Sequence, residues 1–294
     1  MPKPHANLSD NLRTVASEEL AYLKRFDASA FGRVSVAVDL VLLTVEEDRM
    51  RVLILRRADH PAKGKWALPG GFVGIRESLE GAARRVLAQK VALPDIFVEQ
   101  LFTFGEVERD PRMRVVSVAH FALVEPATLQ RALAASTPEP LALADVSVAW
   151  PGEEGGPVAV RDARGVTLPL AFDHAEILGV AVKRLRGRLR YSPIAFELLP
   201  REFTLRALQR VHEAILARRL NKDAFRRRVL ASKGVIATGR LETSVGHRPA
   251  ELYRWAAAID ANGPQASPPP GEAAPEPKPV DDPPTSRGQV DRTP

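Results

Sequence analysis

The chain has 294 residues, 45% of them apolar and 27% charged, which suits one large domain or two modest ones around a real core. It has no cysteine, which excludes disulfides, thiolate metal sites and cysteine nucleophiles, and its six histidines lack the H-x-x-x-H spacing of a helical metal site. The formal net charge is +6, no run approaches the roughly 18 apolar residues of a membrane span, and Met1 to Leu20 has no apolar core of the signal-peptide kind, so a soluble cytoplasmic protein is expected.

Val34 to Val45 is a largely β-branched and apolar run, and Met50 to Leu55 is a second one after the polar turn Glu46 to Arg49. Together they predict a buried hairpin. Arg56, Arg57 and a polar loop to Lys65 lead into W-A-L-P-G-G-F-V at 66–73, read as a strand breaking into a glycine loop. The doubled glycine is expected to permit positive φ and close backbone approach to phosphate. A helix through Val86, Leu87, Ala88 and Val91 follows.

The stretch Gly70 to Leu93 resembles the signature box of the Nudix hydrolases. Gly71, Glu77 and Arg85 match its glycine, first glutamate and arginine, and Leu87 and Leu93 keep its apolar positions. Its three helical glutamates fall instead on Val86, Gln89 and Lys90, and its late glycine on Ala92. Diphosphate cleavage needs two or three hard divalent cations, usually Mg²⁺, held by carboxylate oxygens and water. Spacings of three and four place positions 86, 89 and 90 on one helix face, and none offers a carboxylate.

Lys90 sets a like charge where a cation would sit, a contact costing on the order of 4 kcal/mol at about 4 Å and an effective dielectric near 20. The same charge favours a phosphate held without metal. Glu77 and Arg85 are read as a loop-to-helix ion pair that shapes the turn. The box is therefore vestigial, with no catalytic residue and no metal site assigned.

Phe102 to Phe104 and Met113 to Val124 read as further strands, separated by the charged loop Glu106 to Arg112. Glu106, Glu108 and Asp110 on that loop keep a hydrolase reading open, because some Nudix hydrolases carry their general base away from the box. Supplying a base leaves the metal ligands missing, and an exposed charged loop is the plainer reading. A helix is predicted over Thr128 to Ala135, strand pieces at Val146 to Trp150 and Val158 to Val160, and a longer helix from His174 to Leu189 with Asp173 as its N-cap.

Residues 181–255 carry 18 Lys plus Arg against 6 Asp plus Glu. Within them, Thr204 is a plausible cap for a helix ending at Leu216, with Leu208, Val211, Ile215 and Leu216 on one face. After the basic turn Ala217 to Leu220, Asn221 caps a second helix, Lys222 to Ser232, closed by Gly234. Val235 to Thr238, a turn region with Gly239, Arg240 and Gly246, and Pro249 to Trp255 then complete the order helix, turn, helix, β-hairpin, which is that of a winged helix.

On the second helix Phe225 and Val229 face inward, while Arg226, Arg227 and Arg228 supply donors for phosphates and guanine edges. Arg227 is the first choice for a base contact. Lys222 joins this set, and Arg240, His247 and Arg248 on the wing are assigned to backbone or minor groove. The same arginines suit an acidic protein or RNA, but the helix-turn-helix-wing order favours double-stranded DNA. Positions 261–294 hold ten of the 25 prolines and are expected to be disordered.

Both halves together resemble the Nudix-related transcriptional regulators of bacteria. Besides the box, the strings that carry the likeness are R-D-P-R at 109–112, Y-S-P-I-A-F-E-L-L-P at 191–200, F-T-L-R-A-L-Q at 203–209 and G-H-R-P-A-E-L-Y-R-W at 246–255. The resemblance implies an N-terminal arm (1–32), a Nudix-like α/β/α sandwich with a mixed sheet (33–190), a winged helix-turn-helix domain (191–258) and a Pro-rich tail (259–294).

It implies a dimeric repressor of NAD metabolism or sugar-use genes, released from operator DNA by ADP-ribose or a related nucleotide. In the implied pocket Arg56, Arg57, Lys65 and Lys90 are candidates for phosphate, and Trp66 for adenine stacking or plain core packing. No cofactor is required on this reading. Since the family also contains hydrolases of ADP-ribose, an active Nudix pyrophosphatase is the alternative, and only then would Mg²⁺ enter. The insertion from about Ser136 to Gly165 departs from the compact family pattern.

Overall fold

The computed structural model describes residues 19–22, 24–27, 32–189, 193–243 and 248–256. Strand β1 (Ser35–Glu46) is buried along most of its length, and its apolar residues alternate between two cores. Val41 and Leu43 face one side, and Val38, Leu40 and Leu42 the other. Continuous burial of this kind needs helices on both faces of the sheet.

The second of these cores packs against helices α1 (Leu79–Val86) and α2 (Pro126–Ala134) through Ala82, Ala83, Val86 and Leu129. Opposite lies α3 (His174–Arg188), contributing Ile177, Leu178, Val182 and Leu185. The result is the expected α/β/α sandwich. Each fully buried aliphatic side chain here contributes about 1.5–3 kcal/mol.

The nine-stranded sheet runs β5–β6–β1–β2–β7–β8–β9, where β2 is Arg49–Arg56, β5 Glu99–Phe104, β6 Val115–Leu123, β7 Leu141–Ser147, β8 Ala159–Arg161 and β9 Thr167–Leu168. Two short strands attach at its centre, β3 (Trp66–Ala67) on β2 and β4 (Gly70–Phe72) on β1. β1 and β6 are parallel and the other pairs antiparallel, so the sheet is mixed. A parallel bridge from Leu170 to Trp66 joins the chain just after β9 back to β3. The strand path β2–β7–β8–β9 thereby returns to β3 beside β2.

Several expectations from the sequence are corrected. The doubled glycine is not a positive-φ loop, since Gly70 and Gly71 lie in β4, paired with Asp39 and Val38. Gly70 is required for a different reason: a Cβ there would stand 2.3 Å from Asp39 Oδ1 and 2.7 Å from the Val38 carbonyl. The strand expected at Val146 to Trp150 is β7 five residues earlier, where Leu141 to Asp145 pair with β2.

Asp173 occupies the N-cap position of α3 without capping it, because its carboxylate is committed to Arg109. Finally, the second winged-helix helix ends at Ala231, and the left-handed residue beyond it is Lys233 (φ 54°) instead of Gly234.

Helix α1 passes into a π-turn, Leu87–Val91, that Ala92 closes at φ 58°, ψ 34°. This is the position of the missing box glycine, and an L-residue there costs about 1–2 kcal/mol. Ala92→Gly relieves that strain and loses part of it to unfolded-chain entropy, leaving an expected gain of about 0.5–1 kcal/mol. Thermal unfolding should read it as a rise of about 1–4 °C, and an unchanged or lower Tm would contradict it.

The C-terminal unit opens with a 3₁₀ turn (Pro193–Leu198). Strand β10 (Phe203–Thr204), helices α4 (Leu205–Leu216) and α5 (Lys222–Ala231), and strands β11 (Val235–Leu241) and β12 (Glu251–Trp255) follow. The strands pair in the order β10–β12–β11, completing a winged helix. Gly239 and Arg240, expected in a turn, lie within β11, where Gly239 at φ 71° takes up a register shift against β12.

Thr204 and Asn221 cap α4 and α5, accepting from the backbone N–H groups of Ala207 and Ala224. Leu208, Val211, Ile215 and Phe225 join the same hydrophobic core as Val41 and Ile177. The winged helix is therefore not a separate bead beside the sheet. Among the described residues no helix is long and apolar enough to cross a membrane.

Candidate functional site

At the end of the sheet where β4 crosses β1, a cavity of about 410 Å³ opens between the Gly70–Phe72 strand, the loop after β2, the Arg109–Arg112 loop and the start of α3. Its lining includes Asp39, a carboxylate in the largely apolar middle of β1. Asp39 accepts a hydrogen bond from Ser117 Oγ at 2.5 Å and lies 3.5 Å from Arg109 Nη2. Arg109 in turn donates to both oxygens of Asp173, at 2.7 and 2.8 Å.

Its side chain is only 5% exposed. Burial by itself would lower the Arg109 pKa, but the Asp173 and Asp39 carboxylates reverse that, and the net shift is upward. His174 completes the cluster, with Nδ1 accepting from the Leu68 N–H at 2.9 Å and Nε2 lying 3.6 Å from Asp39 Oδ1. Burial lowers its pKa, which fits the neutral Nε2–H tautomer that this acceptor geometry requires.

The charged loop is thus not simply an exposed one. Asp110 is buried and holds Arg112 through both oxygens, at 3.0 and 2.7 Å, while the Arg112 guanidinium lies over the Phe72 ring. Glu106 and Glu108 are exposed and do not line the cavity.

The box itself is a brace. Glu77 takes Arg85 in a bidentate pair at 2.7 and 2.8 Å, accepts from the Gly74 N–H, and Arg85 also reaches the Phe72 carbonyl. The Arg85 hydrogen bond, helped by the Gly74 amide, holds the Glu77 pKa down at about 2. The contribution of this brace is present above the ordinary carboxylate range and is lost as pH falls towards 2.

Positions 86, 89 and 90, expected on one helix face, are parted by the π-turn that starts at Leu87: Val86 is buried in the core beside Gly71, Gln89 is exposed, and Lys90 lines the cavity 3.5 Å from Glu139. These donors do not fit a divalent ion. Among the described residues no three His, Asp or Glu side chains gather in a metal-holding group.

Of the five pocket candidates, Arg57 and Lys90 line the cavity. Arg56 and Trp66 pair across β2 and β3 outside it, with Trp66 packed against the core, and Lys65 lies on the adjoining loop. Lys90, Arg109 and Arg112 each have a carboxylate partner. Arg57 instead donates to the Pro61 carbonyl and lies 5.0 Å from the centroid of the Phe172 ring. Among the described residues it is the lining arginine or lysine without an ion-pair partner.

On α5, Phe225 is buried and Val229 half-buried, whereas Lys222, Arg226, Arg227 and Arg228 are exposed. Arg228 lies over the Phe225 ring, and Lys222 and Arg226 line a groove shared with Arg206 of α4 and Tyr253 of β12. Arg240 pairs with Glu202, Arg248 is exposed, and His247 lies outside the described residues. The turn before α5 is held by buried Glu213, which accepts from the Leu220 N–H, Gln209 and Arg219.

His120, His174 and His212 all have lowered pKa values, with burial the first cause in each. A depressed folded pKa means stability that is complete above the unfolded value, about 6.5, and falls as pH drops. Unfolding titrations should lose up to about 1.4 kcal/mol per pH unit for each histidine below pH 6.5. A stability independent of pH between 7 and 5 would contradict the neutral buried state.

A mixed sheet between helices, its box turn braced by Glu77 and Arg85, with a winged helix sharing its core, defines the class: a Nudix domain joined to a DNA-reading module. Family models match in the same places, the NUDIX domain over residues 34–150 and the NrtR DNA-binding winged helix domain over 195–255.

The chain belongs to the NrtR family. It is 34% identical over 248 residues to the ADPR responsive transcriptional repressor NtrR of Acinetobacter baylyi, spanning 84% of this chain and 92% of that protein. The crystal structure of Shewanella oneidensis NrtR complexed with a 27mer DNA is 35% identical with a TM-score of 0.60, covering 75% of this chain and 93% of that one. An ADP-ribose pyrophosphatase of Methanocaldococcus jannaschii is 36% identical over 84 residues, 29% of this chain and 47% of the enzyme.

Proposed function

We propose that this protein is a cytoplasmic transcriptional repressor that binds double-stranded operator DNA through α5 and its wing, and is released by ADP-ribose or a related NAD-derived nucleotide. The observation that carries the reading is the exposed Arg226–Arg228 run on the second helix of a winged helix. Similarity to a repressor and to a DNA-bound relative supports it. Genes of NAD metabolism or sugar use are the proposed targets.

The two-domain division at residues 33–190 and 191–258 belongs to this reading, supported by the separate sheets. A homodimer also belongs to it. Support comes from a contiguous exposed apolar patch, Val34, Phe72 and Ile75 with Met113 beside Ser35, of the kind that protein contacts cover.

The nucleotide is held and not cleaved, because positions 86, 89 and 90 present no carboxylate to hold a divalent ion. Arg57 takes a phosphate, its guanidinium already oriented by Phe172 and Pro61. Lys90, shared with Glu139, is the second contact.

The test combines calorimetry with ADP-ribose, in EDTA and in Mg²⁺, with binding to a duplex selected from random sequences. Metal-independent ADP-ribose binding without AMP release, two chains per duplex, and weaker DNA binding in ADP-ribose are expected. Arg57→Ala should weaken ADP-ribose binding about 10–100-fold, the range of a lost charge-assisted hydrogen bond, with DNA affinity kept. Mg²⁺-dependent turnover at enzyme rates, or no selected duplex at all, would overturn the reading.

A further inference from the structure

Helix α3 starts in the pocket and ends at the winged helix. His174 lines the cavity and Asp173 anchors Arg109, while twelve residues on, Arg186 is buried at 2% exposure. Its Nε donates to the Ile215 carbonyl at 2.9 Å, in the last turn of α4. Its Nη1 donates to the carbonyls of Trp150 (3.2 Å) and Gly152 (3.0 Å), and the guanidinium lies 4.8 Å from the centroid of the Trp150 ring. One planar group therefore reads three main-chain positions on two segments outside its own helix.

We infer that Arg186 is the positioning residue through which occupancy of the pocket alters the grip of the winged helix on DNA. The inference rests on the repressor reading above. Burying an arginine among carbonyls alone is a poor route to stability, since an apolar side chain of similar volume commonly does as well or better. Among the described residues no carboxylate pairs with it, and burial draws its pKa down. A fork of fixed donors, by contrast, loses hydrogen bonds steeply when its acceptors shift or turn, so it favours one docking of α4 over others.

Motion at the pocket end reaches Arg186 because α3 is a rod of about 22 Å. It cannot slide freely along the insertion. A Cβ on Gly179 would meet the Gly156 carbonyl at 1.9 Å, Lys183 donates to the Glu154 carbonyl, and the Val158 N–H donates to Ala175. The loop 150–158 that grips α3 also supplies two of the three carbonyls Arg186 holds. Insertion, linking helix and α4 thus form one mechanical path, in which Arg186 is, among the described residues, the polar link from α3 to the last turn of α4.

The test compares wild type, Arg186→Met and Arg186→Lys for affinity to the selected duplex with and without saturating ADP-ribose, and for ADP-ribose affinity without DNA. Wild type should show an effect of ligand on DNA binding within the roughly 5–150-fold range usual for coupled sites. Arg186→Met should reduce that factor to about twofold or less while ADP-ribose affinity stays within about threefold.

Should the methionine variant not fold, Arg186→Lys decides. It keeps charge and stem but loses the fork, and is expected to lower the factor at least threefold. Undiminished coupling in a folded variant overturns the inference. Wild type without any ligand effect on DNA instead overturns the repressor reading, so the two failures are distinct.

Discussion

Arg109→Met is expected to cost about 3–5 kcal/mol of folding stability, the range for deleting one partner of a buried ion pair. The cost follows from what stays behind. Asp173 and Asp39 have side chains 11% and 9% exposed, and without the guanidinium they are two buried carboxylates close to one another beside a neutral histidine.

Asp173 has few alternatives, since it already fails to cap α3. The hydrogen bond from Ser117 remains to Asp39 and offsets little. Urea unfolding at pH 7 measures the loss. The double variant Arg109→Met with Asp173→Leu should recover part of it, because one uncompensated charge is removed with its partner. A loss below 1 kcal/mol in the single variant would mean that water reaches the cluster.

Arg227→Glu is expected to weaken binding to the selected duplex by at least about 100-fold, with ADP-ribose affinity unchanged. A bidentate base contact is worth about 1–3 kcal/mol, and reversing the charge adds repulsion from the phosphates. Its neighbours are engaged differently. Arg228 lies over Phe225, and Arg226 sits in the groove with Lys222, whereas Arg227 is exposed roughly opposite the buried Phe225 and makes no ion pair among the described residues.

Arg226→Ala should therefore lower affinity evenly across sequences and reduce the salt slope by about one, as a phosphate contact does. Arg227→Glu should instead erase sequence preference. Fluorescence anisotropy at two salt concentrations separates these patterns, and an Arg227→Glu affinity within threefold of wild type would remove α5 as the reading helix.

Much of the fold was legible because its elements follow local rules. The hairpin of β1 and β2, the strand β6, the helix α3 and both capped helices of the winged helix come from periodicity and capping residues within a few positions of one another. Loss of the metal ligands was legible from the residue types at positions 86, 89 and 90 alone, whereas their expected common helix face was undone by the π-turn at Leu87–Val91. The Glu77–Arg85 brace spans eight residues and was within reach.

The Asp39–Arg109–Asp173–His174 cluster was not legible, because its members come from three distant segments. A signal existed in Asp39, a carboxylate in the largely apolar middle of β1, but nothing local names its partner. Arg56 and Arg57 were indistinguishable as a pair until the strand and loop directions put only Arg57 on the cavity.

The identity of the two modules, the absence of carboxylates at positions 86, 89 and 90, and the arginine run of α5 are properties of neighbours along the chain and are read from it directly. Folding alone fixed which cations remain without an ion-pair partner, that the 150–158 loop grips α3, and that Arg186 ties this helix to α4. Those are questions of which distant groups meet in a water-poor interior. There burial makes an unpaired charge or carbonyl costly, so side chains settle on whichever partners the packing brings within reach.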